Sequence, residues 1–496
     1  VALLAPPLRL DAWLRWLLPA TALPAAVALA LWIRAEGEVW RDLPPTAAAA
    51  PGAPNLVLVS WDTVRADVLS PYSGSGVDTP HLLRLVAEGY LFDDAVALAS
   101  ITGPSHASML TGRYPPMHGV RSNGAQGIAA SVPTLPEMLK DVGYHTGGFV
   151  SAYPMLGKFG FARGFEVYDD RLPASGAVLL TKLGRRNFLW LQLAGKLLPN
   201  APDASVAGEV VNRRAFEWLD ALEADGDGRP FLLFAHYYDA HGPFKPAEPW
   251  RAAALAAEAS AFPRAVDASV QDEMTLYRAE IAQVDALFGE LRARLERADP
   301  GLQNTLILLT SDHGECFGEG GIVLNHTASL YEATQHVPMV LRLPAAVGAG
   351  TRVLATATHL DIVPTFLAAA GAAPSPEFGG PGLQLTELDA LRPPGSQRRQ
   401  VYMEAQQLHL GDERKIGWRS GKRKLVRWQN GAEQLWGFGP GEPEGADMGA
   451  AEAATFTRLR LALEEFLGRM EPALGEFVEL GAEDAASLGA LGYAED

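Results

Sequence analysis

Three short apolar runs set the terms on which this chain can fold. Asn55–Ser60 (N-L-V-L-V-S), Phe231–Ala235 (F-L-L-F-A) and Thr305–Thr310 (T-L-I-L-L-T) have the length of core strands. Each gives way within a few residues to carboxylates and histidines: Asp62 after the first, Asp239 and His241 after the second, Asp312 and His313 after the third. Unbroken apolar runs suit strands buried on both faces. Between them lie helical patterns at Pro80–Glu88, Thr134–Lys140, Val206–Leu222 and Asp272–Leu295. In the last of these Tyr277, Ile281, Val284, Leu287 and Leu291 repeat at helical spacing. His145–Val150 and Val337–Leu343 read as further strands, and Asp361–Ala369 as a helix with Pro364 in its first turn. Strands alternating with amphipathic helices predict an open, mostly parallel α/β sheet covered on both faces. Its ligand crevice lies at the carboxyl ends of the strands, where the acidic residues fall.

The length, 496 residues, is enough for one large domain and a smaller one. We expect four segments. Residues 12–34 read as a membrane anchor: Leu17–Ile33 is almost wholly apolar, Arg9 and Arg15 precede it and Arg34 follows. A basic start places the bulk of the chain on the extracytoplasmic side. Residues 35–54 form a Pro/Ala-rich linker, 55–370 the catalytic domain, and 371–496 a small C-terminal α+β subdomain. The subdomain has strand-like stretches at Gln400–Met403 and Lys415–Trp428 and a helix at Ala453–Leu467. A net charge of -17 opposes nucleic-acid binding. The single cysteine, Cys316, excludes an internal disulfide framework and reads as a packed residue.

The stretch Ser100–Tyr114 (S-I-T-G-P-S-H-A-S-M-L-T-G-R-Y) carries the chemistry. Thr102 sits just before Pro104 and a helix start expected at Ser105. Asp62, Asp312 and His313 are hard or borderline ligands on separate strand tips, with Asp239, His241 and His326 as further candidates. One or two divalent ions suit such a set, zinc first, with manganese, calcium or magnesium as alternatives. A threonine hydroxyl is a weak nucleophile until its proton is drawn off, which a metal accomplishes. Helix N–H groups near Thr102 would hold an anion. The competing readings are structural: Asp62 as a cap for Thr63–Leu69, and D-H-G-E at Asp312–Glu315 as a turn.

Together these motifs resemble the sulfatase family of the alkaline-phosphatase superfamily over roughly 55–370. N-L-V-L-V-S-W-D-T-V-R-A-D resembles its first metal segment, T-G-P-S-H-A-S-M-L-T-G-R-Y its nucleophile segment, and S-D-H-G-E-C-F-G-E-G-G with the following N-H its late metal segment. G-A-E-Q-L-W-G-F and L-G-A-L-G-Y resemble family tail features. The resemblance implies an alkaline-phosphatase-like fold. It implies Asp62, Asp312 and His313 as metal ligands, Thr102 as nucleophile, and His326 as a second-metal or substrate histidine. Asp239 and His241 would form a middle metal or substrate pair. Asn123, Arg121 and Lys245 would be substrate contacts, with Lys245 on the pocket rim. Typical sulfatases place at the Thr102 position a cysteine or serine that matures to formylglycine. They place arginine where this chain has His106, a second aspartate at Thr63, and often asparagine at His313. These departures point toward the superfamily's phosphoesterases. The expected activity is hydrolysis of a small, lipid-linked or glycan-linked phosphate ester through a covalent phospho-threonine, with Thr102, His106 and His241 catalytic. Sulfate ester hydrolysis, phosphotransfer beside a membrane, and an inactive binding protein are the alternatives.

Overall fold

The computed structural model describes residues 39–172, 205–256, 267–372, 399–406 and 414–478, apart from 46, 75 and 440, together with 484 and 487. The segment 12–34 and the tail L-G-A-L-G-Y lie outside the described residues. Among the described residues no helix is long and apolar enough to cross a membrane. The longest, Gln271–Ala298, carries acids and arginines along its length. The expectation of a membrane-anchored, extracytoplasmic enzyme is therefore corrected: among the described residues no membrane anchor is indicated.

Nine strands form the main sheet: β1 (Val39–Arg41), β2 (Asn55–Trp61), β3 (Tyr90–Phe92), β4 (His145–Phe149), β5 (Val167–Asp169), β6 (Phe231–Tyr237), β7 (Thr305–Ser311), β8 (Met339–Arg342) and β9 (Thr351–Val353). Their order is β1-β5-β4-β6-β2-β7-β8-β3-β9. The strands from β5 through β7 in that order run parallel. β8 lies antiparallel to both β7 and β3, and β1 closes the far edge antiparallel to β5. β1 comes from the stretch expected to be a linker, which is thus partly built into the sheet. The three apolar runs lie side by side at the centre, with Leu58 in register with Phe234 and Leu308.

Seven helices matter here: α1 (Pro80–Ala87), α2 (Thr102–Thr111), α3 (Leu135–Asp141), α4 (Gly208–Asp225), α5 (Gln271–Ala298), α6 (Ile362–Ala369) and α7 (Ala453–Arg469). Strand side chains alternate between faces, and the core divides accordingly. Leu56, Leu58, Leu232, Phe234, Leu306 and Leu308 join Ala107, Met109 and Leu110 of α2 and Phe366 of α6. Val57, Val59, Leu233, Ala235, Ile307 and Leu309 join Trp218 of α4 and Ile281, Val284 and Phe288 of α5. Local signals fix the ends: Thr134 and Glu137 make a reciprocal capping box at the start of α3, and Gly112 ends α2 at φ 65°.

The C-terminal subdomain is a four-stranded antiparallel sheet, β10 (Gln400–Ala405), β11 (Lys415–Ser420), β12 (Arg423–Trp428) and β13 (Glu433–Gly437), backed by α7. Its core joins Leu425, Leu435 and Trp418 to Leu459 and Leu463. Helix α2 is buried along its whole length. Leu308 is fully buried in the face that carries α2. Leu308→Ala is expected to cost about 2–5 kcal/mol in urea unfolding, from lost burial plus the cavity left behind.

Candidate active site

The central strands deliver their polar ends to the face that carries α2. Ser60 and Asp62, Phe234 and His236, and Thr310 and Asp312 share the parity of the Leu58–Phe234–Leu308 row. Asp62 directly follows β2, and its N–H still bonds to Tyr237 O at 2.8 Å. The next residue turns sharply: Thr63 sits at φ 57°, a conformation costly for a branched side chain. Its neighbours hold it there. Thr63 N donates to Asp312 Oδ1 (3.1 Å), its Oγ1 donates to Ala240 O (2.7 Å), and its carbonyl accepts from Tyr277 Oη (2.7 Å).

One ligand atom from each of Asp62, Asp312 and His313 lies within 4.8 Å of the others, and all three residues are fully buried. Asp62 Oδ2 accepts from His236 Nε2 (3.1 Å) and from Thr102 Oγ1 (3.4 Å), while Oδ1 has no hydrogen-bond partner. Asp312 Oδ1 accepts from the Thr63 and His313 N–H groups, while Oδ2 has no such partner. His313 Nδ1 meets Gly314 O at 3.0 Å, so Nδ1 carries the proton and the unpartnered Nε2 keeps its lone pair. Buried polar atoms are rarely left unsatisfied. Burial raises the Asp62 carboxyl to about 8, raises Asp312 well above the usual range, and holds His313 neutral. Two carboxylates and a neutral imidazole, each with a lone-pair atom turned to one point, fit a divalent cation. The nitrogen ligand favours zinc or manganese over calcium, which takes oxygen.

Thr102 is the first residue of α2, three residues earlier than the expected start. Pro104 lies in the first turn, where its missing N–H costs nothing, and the first helical bond runs from Ser105 N to Ile101 O at 3.2 Å. Gly103 N donates to Asn123 Oδ1 at 2.7 Å, and a Cβ at Gly103 would lie 3.0 Å from that oxygen. Asn123 is thus brought to the amino end of α2. Ser105 Oγ donates to Asp312 O at 2.6 Å, tying α2 to the segment that follows β7.

The histidines divide into two groups. His241 and His326 meet with rings 5.2 Å apart, and His326 lies 4.4 Å from His313. Glu315 Oε2 accepts from His326 Nδ1 at 3.0 Å. Burial works against the charged imidazole, but Glu315, Asp62 and Asp312 outweigh it and raise His326. His241 Nδ1 donates to Gly242 O (2.7 Å), and burial pushes the ring down to about 3. His106 lies on the α2 side of the cluster, its Nδ1 3.7 Å from Asp312 Oδ2. That Nδ1 donates back to Thr102 O (2.8 Å) within α2, and its Nε2 meets Ser60 Oγ (2.8 Å), which ties α2 to β2. The expectation of a catalytic His106 thus meets a ring whose two nitrogens already hold contacts.

Two other expected residues are engaged away from the cluster. Asp239 is not part of the ligand cluster. Its Oδ1 accepts from Gly208 N at 3.0 Å, at the amino end of α4, and from Gln283 Nε2 at 3.4 Å. Arg121 is committed to Glu404 through Nε (3.0 Å) and Nη2 (2.6 Å), which clamps the catalytic domain to β10. Lys245 is exposed, consistent with a rim position, and its backbone N–H is held by Glu280 rather than by the site. The sequence reading missed His236 and Glu315. His236 closes an apolar strand, and only its even parity with Asp62 and Asp312 signals that it faces the site. Glu315 was visible in D-H-G-E but had no assigned partner. Divalent zinc or manganese is expected to raise the thermal midpoint, by about 2.7 kcal/mol at a hundred times Kd. Calorimetry with added metal should lose that shift in Asp62→Asn and His313→Ala.

Comparisons with known proteins bear on the family. The sulfatase family model matches residues 54–372. Mouse arylsulfatase G is 27% identical over 377 residues, covering 66% of this chain and 67% of the relative. N-acetylglucosamine-6-O-sulfatase of Bacteroides thetaiotaomicron is 24% identical over 430 residues, covering 70% and 73%. The crystal structure of the phosphonate monoester hydrolase of Agrobacterium radiobacter superposes with a TM-score of 0.66 at 20% identity over 84% of this chain and 96% of that one, a likeness of fold. This chain belongs to the sulfatase family, whose members are hydrolases.

Proposed function

We propose that this protein is a metal-dependent hydrolase of phosphate mono- or diesters that works through a covalent ester on Thr102. One observation carries the reading. The Thr102 hydroxyl stands at the amino end of a buried helix, 3.4 Å from Asp62 Oδ2, beside three buried ligand atoms turned to one point. A divalent ion held by Asp62, Asp312 and His313 would supply positive charge to the hydroxyl and to the transferred anion.

The residues of the chain supply the rest. Thr102 Oγ1 attacks phosphorus and gives its proton to Asp62 Oδ2, which already accepts its hydrogen bond. The new bond is P–Oγ1, and the bond broken is that between phosphorus and the leaving alcohol oxygen. His326, whose charged form Glu315, Asp62 and Asp312 favour, flanks the departure side with the neutral His241 and hands that oxygen a proton. Water then attacks phosphorus from the vacated side and returns a proton to His326, the P–Oγ1 bond breaks, and Thr102 recovers its proton from Asp62. Helix N–H groups and Asn123 orient the non-reacting oxygens.

Threonine supports phosphorus over sulfur because it offers no aldehyde hydrate. Its ester has to be opened by water at the central atom, and the nitrogen-containing ligand set suits the metals of such chemistry. Sulfate ester hydrolysis is the second reading, favoured by the family and by its relatives named as sulfatases. Parallel kinetics on aryl phosphate, aryl phosphodiester and aryl sulfate test the choice. We expect a phosphorus substrate to have the highest kcat/KM. Thr102→Ala should lose turnover by a factor on the order of 10³ or more, and Thr102→Ser should retain part of it. A wild-type preference for sulfate would overturn the phosphoester assignment, and full activity in Thr102→Ala would overturn the mechanism. Mass spectrometry of acid-quenched enzyme should find a phosphate adduct on the peptide containing Thr102.

A further inference from the structure

The chain from residue 471 onward returns from the C-terminal subdomain to the catalytic domain and crosses the loop 116–127. Ala473 N donates to Pro116 O at 2.9 Å, and Val478 N donates to Ala125 O at 3.3 Å. Between these points Glu476 and Phe477 pair antiparallel with Gly127 and Gln126. The contact at Gly475 is too close for any side chain. A Cβ there would lie 2.3 Å from Gly119 O and 3.0 Å from Gly127 O, and one on Gly119 would lie 2.4 Å from Gly475 N. Further on, Asp484 accepts from Tyr153 Oη at 2.6 Å and pairs with Lys158. The strap is therefore fixed to the catalytic domain on both sides of its crossing.

What lies beneath the strap is the support of the nucleophile. Within 116–127, Gln126 Oε1 accepts from Arg121 N at 3.0 Å, so the residue paired with Phe477 also shapes the loop interior. The loop grips α2 at two places. His118 Nε2 meets Ser108 Oγ at 3.1 Å, and Asn123 Oδ1 accepts from Gly103 N at 2.7 Å, one residue from Thr102. Burial holds His118 neutral, and its Nδ1 accepts from Val120 N at 3.2 Å. The strap thus meets the loop at Gly119, Gln126 and Gly127, and the same loop reaches the first turn of α2 through Asn123.

We propose that the strap, residues 471–478 with Asp484, is a positioning element of the active site: it presses the 116–127 loop onto α2 and so fixes the orientation of the Thr102 hydroxyl. This rests on the reading of Thr102 as nucleophile. Misplacement of a reacting group by about 1 Å costs on the order of 10²-fold in rate, so the strap acts on kcat while leaving the metal ligands untouched.

The test compares the full chain with a chain ending at Met470 and with the full-length variants Gly475→Val and Asp484→Asn, on whichever aryl ester the wild type turns over best. Metal content and circular dichroism report folding. We expect Gly475→Val to lower kcat by about tenfold or more, KM to stay within about twofold, and zinc content to stay at the wild-type level. A synthetic peptide of residues 471–487 should restore part of kcat to the shortened chain. If the shortened chain does not fold, Gly475→Val decides. Wild-type kcat in folded Gly475→Val overturns the proposal, as does a loss of kcat matched by an equal loss of bound metal. Should Thr102→Ala keep full activity, the nucleophile reading fails. Normal strap variants beside an inactive Thr102→Ala would sink the strap alone.

Discussion

Two carboxylates, buried and turned toward one point, are the constraint the rest of this structure answers. Asp62 and Asp312 repel each other where water cannot screen them, and burying a charge without a partner costs several kcal/mol. The sequence places them one step past adjacent parallel strands, and the register of β2 with β7 leaves them no way to part. The surroundings satisfy one oxygen of each, through His236 and Thr102 for Asp62 and through two backbone N–H groups for Asp312. The other oxygen of each is left for a cation. The left-handed turn at Thr63 belongs to the same solution, because it aims a backbone N–H at Asp312.

The histidines show how chemistry is assigned by what each ring nitrogen touches. His313, His241 and His326 all lie in one cluster, and in each Nδ1 is bound to a carbonyl or carboxylate, which orients the ring. His106 has neither nitrogen to spare. Burial holds its ring neutral, and its Nε2 contact with Ser60 Oγ ties the first turn of α2 to β2.

The central strands and long helices were legible because burial on both faces, or helical spacing, writes a pattern longer than any accident. Asp62, Asp312, His313 and Thr102 were legible for the same reason: they sit at the ends of such patterns. Short edge elements were not. β1, β5 and β9 have three residues each, too few for a period, and they owe their form to the strand beside them. Asp239 misled because two residues spaced by one share a face only in an extended chain. β6 ends at Tyr237, and the turn after it sends Asp239 to α4 while His241 stays at the site. Arg121 misled because its partner, Glu404, lies far along the chain, and no local pattern shows a charge already neutralised across a domain boundary.

That boundary bears directly on the site. Glu404 N donates to Leu98 O at 2.9 Å, so β10 touches the segment that leads into Thr102. Beside it, Lys424 meets Glu332 at 3.0 Å and Glu444 at 3.1 Å, and Arg419 meets Asp94 at 2.6 Å and Glu332 at 3.2 Å, with Glu332, Arg419 and Lys424 almost wholly buried. Burial alone would raise the Glu332 carboxyl, yet Arg419 and Lys424 hold it below the usual range. Buried ion pairs of this kind add little net stability, since desolvation offsets attraction, but each tolerates only one geometry. A sliding of the C-terminal sheet by one residue would strand three charges at once. The seam therefore admits a single docking of the subdomain, and with it a single path for Leu98–Ile101 into the nucleophile helix.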